Sequence, residues 1–440
     1  MTGTVPETRR SLRLAISARK ITVAAGTLFV VWNLLAIFQL RSAPSIGGDF
    51  DQFYTTGVIL SQHGDLYDDS LQRRICDQIH SFHSGLNHGP ANAYSPTLAL
   101  LFRLFAFLPF RAAFALWACV SVLLYGCGLW ALRPFLKRLP VDGQRALYAL
   151  ALSFSGFVYF TMLGGQISAL AFFLVACAIR ADLDGKYMLS GALLAACAFK
   201  PPLLVILVPC LLIRRNWRIL AGAAVSALGT FVVTAMVLGI QPYIQWARVL
   251  TAYLSFAGGV HDKQLLPAWT AALHDSEIAQ VQMLPHFVDL SHFFQRILGA
   301  GTPAARIVFA AIAIPAVLYV MSRWRKFDSA SPDQKRMYWA LALTATLLIN
   351  AYAMVYDSIL VVAAFLLTYG VASAALSPAQ FRALKLVGAL LYVSPIFIAT
   401  STYWPHVQPV TVLLVLFGLW LYGGLRTSAR GVGQMLPHGP

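Results

Sequence analysis

Two carboxylates two positions apart, Asp49 and Asp51, open a segment carrying Phe50, Phe53 and Tyr54. A carboxylate beside aromatic rings suits general-base work on a hydroxyl, worth about 10²–10⁴ in rate. On a helix the two would point about 200° apart, so one faces a site and the other does not. Spacing alone does not choose between them, and a helix N-cap role fits either. Lys200 lies in Ala198-Phe199-Lys200-Pro201-Pro202, inside an apolar run. An ionisable residue within a membrane helix is a functional candidate by default, and the neighbouring prolines free backbone groups around it. Its ammonium suits an anionic phosphate, with snorkelling or a carbonyl contact as the plainer alternative. Gln166, in Gly164-Gly165-Gln166, is either a polar contact between helices or a site residue. Asp357, after Tyr352 and Tyr356, pairs with a cation or touches substrate. His261 with Lys263, and Arg73 with Arg74, are further candidates for a phosphate. No spacing forms a metal motif such as His-Glu-x-x-His, and the six cysteines form no disulfide or zinc pattern.

The elements that must carry these residues are membrane helices. Apolar residues make up 58% of the 440-residue chain and charged residues 11%, against about 25% charged in soluble domains. The apolar residues fall in blocks near 21–40, 112–132, 146–163, 219–240, 304–321, 337–349, 358–376, 386–400 and 410–425. A bilayer needs about 20 such residues per helix. The net charge of +16 does not point to nucleic acid: the basic residues sit in short connections, as the positive-inside rule expects, rather than on one stripe. The first apolar block is longer than a signal-peptide core and reads as an uncleaved anchor.

This gives an all-α polytopic protein of about twelve spans. Residues 1–20 and 426–440 are expected to be cytoplasmic tails around one domain, 21–425, with long outer loops at 41–95 and 241–303. The count takes 96–109 as a short returning span and 188–213 as one pass. It leaves Arg133, Lys137, Arg138 and Arg145 on the outer side, so either 96–109 is a partial, re-entrant helix and the parity changes, or the charge rule is broken locally. Eleven of the 17 acidic residues lie in or beside the two long loops, and four of the ten histidines lie in the first, three of them at 80–88. Residues 50–62 are expected to form a helix lying on the membrane surface, with Asp49 and Asp51 at its positive end.

The order of several short motifs resembles the polyprenol-phosphate-mannose-dependent mannosyltransferases of the GT-C superfamily, the group that includes the mycobacterial PIM and arabinan transferases. The motifs are Asp49-Phe50-x-x-Phe53-Tyr54, Gly64-Asp65-Leu66-Tyr67-Asp68 and Tyr94-Ser95-Pro96, then Leu108-Pro109 and Trp117. Gly165-Gln166, Gly191 leading to Lys200-Pro201, Arg214-Arg215-x-Trp217 and Tyr352 to Tyr356-Asp357 follow. Thr97 stands where that family often has a second proline. The resemblance implies a GT-C-like fold and inverting transfer from a polyprenyl-phosphate sugar to a lipid or glycan acceptor. Mannose, a similar sugar or arabinofuranose would be transferred, on the periplasmic side of a bacterial inner membrane. It makes Asp49 the general base, with Asp51 the runner-up. Lys200, Lys263, Arg73 and Arg74 would face the donor phosphate, and Tyr54, Tyr94, Gln166, His261, Tyr356 and Asp357 the substrates. Membrane lipids are the other partners; no nucleotide or other cofactor is implied, and a divalent metal stays open. The rival readings are a transporter or flippase of lipid-linked saccharides, which should carry internal repeats and a midplane site, and a non-catalytic scaffold.

Overall fold

The computed structural model describes residues 18–31, 34, 48–79, 94–257, 286–299, 301–350, 352–375, 377–398 and 408–433. Among them the secondary structure is helical, with a single isolated bridge between Phe287 and Met354. Among the described residues four helical segments are long and apolar enough to cross a membrane: Phe110–Leu136, Trp217–Leu238, Pro303–Trp324 and Val355–Ala372. The bent pair Val141–Leu152 and Gly156–Leu163 makes a fifth if it is one span. Local sequence sets several boundaries. Ser331 and Gln334 close a capping box ahead of Pro332–Ile349, and Asn216 caps Trp217–Leu238, each satisfying amides a helix start leaves open.

The helix Ser168–Leu183 runs between two ends of the molecule, with Asp182 at one and Ser168 at the other. One end is basic. There Arg138 bonds Asp333 at 2.7 Å, and Arg214 bonds both Asp182 at 2.8 Å and Asp328 at 2.6 Å. Trp339 Nε1 donates to the second Asp182 oxygen at 2.8 Å, so the buried Arg214–Asp182 pair has the extra hydrogen bonds such a pair needs. The opposite end gathers Asp49, Gln166, Lys200 and Asp357.

Two expected passes are corrected. The 96–109 segment is no span: its helix, Pro96–Arg103, is eight residues long and ends in turns through Leu108. It packs instead on the first-loop helix Gly48–Ser61. Phe53 stacks on Phe102 at 5.0 Å, and Phe50 meets Phe102, Phe105, Phe110 and Phe114. The helix expected on the membrane surface therefore buries its aromatic side in protein. The 188–213 block is not one pass but a hairpin. Tyr187–Ala196 rises from the basic end, the chain turns through 3₁₀ segments at Lys200-Pro201-Pro202, and Leu207–Arg214 returns until Arg214 faces the Tyr187 ring at 5.4 Å.

The rising arm lies parallel to Trp217–Leu238 with almost no space between backbones. A Cβ on Gly191 would meet the Ile219 carbonyl oxygen at 1.9 Å, and one on Gly222 the Met188 carbonyl oxygen at 2.0 Å, a small-residue helix contact. The arm is only about 20 Å long, while the 22-residue helix beside it reaches about 33 Å. With Met188 level with Gly222 and Ala192 with Ser226, Lys200 sits about one turn, roughly 6 Å, below the far end of its neighbour.

Candidate functional site

The site is assembled from three turns at the non-basic end. The first is Gly164-Gly165-Gln166. Gly165 has φ +70°, and a Cβ there would lie 2.4 Å from Phe50 Cβ, so glycine lets the Gly48–Ser61 helix start directly against this turn. The Asp49 N–H donates to Gly164 O at 3.2 Å, and Trp117 Nε1 donates to Gly165 O at 3.1 Å. The result points the fully buried Gln166 side chain at Asp49: its Nε2 donates to Asp49 Oδ2. A count of twelve passes that includes 96–109 puts Gln166 near the inner side, away from Asp49; without that span the two meet.

The second turn is Lys200-Pro201-Pro202, and the third is 352–357. Lys200 Nζ bonds Asp357 Oδ1 and donates to Ser168 Oγ at 3.1 Å; the Ser168 hydroxyl donates to the same Asp357 oxygen at 2.9 Å. Lys200 is 4% exposed and Asp357 1%, and the ammonium lies 4.4 Å from the centre of the Tyr356 ring. Asn350 Nδ2 donates to the Pro202 carbonyl at 3.0 Å, satisfying one backbone group that the prolines free. The Met354 N–H donates to the other Asp357 oxygen at 3.4 Å. The pair is thus embedded in neutral donors, the arrangement in which a buried ion pair is tolerated.

Electrostatics join the two halves. Burial pushes the Asp49 carboxyl up to about 6, against the Gln166 amide and the Lys200 charge, which pull it down. Asp51 and Asp357 add to the rise. Tyr94 stands between the halves, its ring 4.6 Å from Phe53. Burial and nearby Asp49 push its hydroxyl well up, so it stays protonated as a donor.

Other expected residues fall elsewhere. Tyr54 OH donates to Leu108 O at 2.7 Å, and its ring packs on Phe110 at 5.3 Å. Arg74 is exposed beside Asp68, and no described contact carries it to Lys200. Asp51 follows Asp49 in the same first turn, and Gln166 bonds Asp49. The Arg73 side chain, His261, Lys263 and the histidine segment 80–88 lie outside the described residues. Two participants were missed. Ser168, two positions after Gln166, bridges Lys200 and Asp357; its place just after a Gly-Gly-Gln turn was the available signal. Asn350 gave none beyond its position at a span end. Thr97, where the resembling family often has proline, turns its hydroxyl to Tyr243 OH at 2.9 Å and Thr234 Oγ1 at 3.2 Å.

A chain whose described residues are helical, with several candidate membrane spans, fits the GT-C-like class of membrane glycosyltransferases. The chain is a member of glycosyltransferase family 87, whose family model matches residues 92–351, more than half of its length. The matched stretch contains Tyr94, Gln166, Ser168 and Lys200 and stops short of Asp49 and Asp357. No curated protein and no solved structure matches the chain. Family membership favours the glycosyltransferase over the transporter and the scaffold.

Proposed function

We propose that this protein transfers a sugar, mannose or a related hexose or arabinofuranose, from a polyprenyl-phosphate donor to a hydroxyl of a lipid or glycan. The observation that carries the reading is the Asp49 carboxylate, held by Gln166 and acted on by Lys200. Asp49 accepts the proton of the acceptor hydroxyl as that oxygen bonds the anomeric carbon. The bond from that carbon to the phosphate oxygen breaks on the opposite side, which inverts the centre, and polyprenyl phosphate leaves with the electron pair. Developing charge on the leaving phosphate needs a fixed cation. Lys200 has three N–H donors; Asp357 and Ser168 take two, and the third serves the phosphate. Asp357 keeps the ammonium aimed while no substrate is bound. His261 and Lys263, on the second long loop, are proposed as further donor contacts.

The basic end supports an orientation with basic loops in the cytoplasm and the site facing the periplasm of a bacterial inner membrane. The deciding experiment is transfer from labelled polyprenyl-phosphate sugars by purified protein in lipid nanodiscs. Transfer by wild type and its loss in Asp49→Asn support the reading; equal transfer by the variant removes Asp49 as the base.

A further inference from the structure

The second long loop re-enters the fold through residues 286–292, and those residues grip the turn that presents Asp357. Asp289 is fully buried and caps the helix Leu290–Leu298 by accepting from the His292 N–H at 2.9 Å. Both of its oxygens lie 2.9 Å from His292 Nδ1. A carboxylate only accepts, so Nδ1 carries the proton. Oδ2 also accepts from the Ala353 N–H at 3.2 Å. The Val288 N–H donates to Ala353 O at 2.8 Å, and Phe287 forms a bridge with Met354. The His292 ring stacks on Phe287 at 3.7 Å, and Phe287 meets the Tyr352 ring at 5.1 Å. Thr411 holds Val288 O from the last helix at 2.8 Å. A buried carboxylate with three amide or imidazole donors is far more than a helix cap requires, and the donor it adds is the backbone of Ala353.

We propose that Asp289 and His292 form a latch that positions the Tyr352–Asp357 turn, and through Asp357 the Lys200 ammonium. Both are positioning residues, and neither touches substrate. The latch ties the end of the second outer loop to the cationic half of the site. Its link to sugar transfer rests on the proposed function; its hold on the turn does not.

The test pairs two readouts on the full-length protein in nanodiscs: hydrogen exchange of the 350–357 segment, and kcat and KM for transfer. Asp289→Asn keeps one acceptor oxygen, which cannot take both the His292 N–H and the Ala353 N–H; with that oxygen on the helix cap, where asparagine is favoured, an amide NH2 faces the Ala353 N–H and that bond is lost. Exchange at 352–357 should rise at least tenfold while the Phe110–Leu132 helix keeps its protection, and kcat should fall about 10–100-fold with little change in KM. His292→Phe keeps the stack but lacks the donor and should show part of both effects. His292→Asn restores a donor near the Nδ1 position and should recover kcat toward wild type. Unchanged exchange at 352–357 in Asp289→Asn overturns the latch, as does increased exchange with unaltered kcat. Should wild type transfer no sugar, the proposed function fails, and exchange alone then decides whether the latch holds the turn. If Asp289→Asn does not fold, His292→Phe and His292→Asn carry the comparison, and equal exchange in the two overturns it.

Discussion

Asp49 is poised by opposing influences: burial raises its pKa while an amide and a cation lower it, leaving it at about 6. A general base must be unprotonated to work. Activity should therefore be low below pH 6, rise through about 6 and level above it, read as kcat/KM between about pH 5 and 8 because that ratio reports the free enzyme. A flat profile over that window would remove Asp49 from the proton transfer. Asp49→Asn should lose about 10²–10⁴ in rate, roughly 3–5.5 kcal/mol of barrier, with Asp51→Asn losing much less. The Lys200–Asp357 pair makes a different prediction. Lys200→Met strands a buried carboxylate and should cost about 3–5 kcal/mol. Adding Asp357→Asn removes the stranded charge, so the double variant should melt at a higher temperature than Lys200→Met alone. Additive losses would mean the two side chains are not coupled.

At the scale of elements, the Gly164-Gly165 turn decides whether Asp49 meets Gln166. Gly165→Ala combines a left-handed φ with a Cβ 2.4 Å from Phe50 Cβ. It should cost about 1–3 kcal/mol of stability and a larger share of activity, because relief of the clash moves the helix that carries Asp49. Gly229→Ala, where no atom lies within 4 Å of the added Cβ, is the control; within a helix it should stabilise by about 0.5–1 kcal/mol. Thermal unfolding and transfer rate, measured on both variants, separate the local effect from a general one. Equal outcomes for the two would count against the close approach.

At the scale of the whole molecule, the corrected passes change which side the 133–145 connection occupies. The expected count placed it with the outer loops. In the structure Arg138 bonds Asp333 and Arg336 lies 5.1 Å from the Phe135 ring centre, so it joins the other basic connections. In a cysteine-free background, Lys137→Cys, exposed in the fold, should react with an impermeant maleimide only from the cytoplasmic side, and His63→Cys, also exposed, only from the periplasmic side. Labelling of both from one side would contradict the arrangement. The errors in the count cancelled: one false span at 96–109 and one missed turn at Lys200 left every later helix with its expected direction.

Composition and block length by themselves determined that this is a helical membrane protein, because 58% apolar residues in long runs leave no other way to hide them from water. Residue chemistry also marked Asp49, Lys200, Gln166 and Asp357 one at a time. What sequence could not supply was direction and partnership. Hydropathy measures how apolar a run is and not whether it turns, so the Lys200-Pro201-Pro202 fold-back counted as one pass. The pairs span 117 positions for Asp49 and Gln166 and 157 for Lys200 and Asp357, separations over which no periodicity carries information. Only the packing of helices, set by glycine contacts and buried ion pairs, decided that these four side chains share one site.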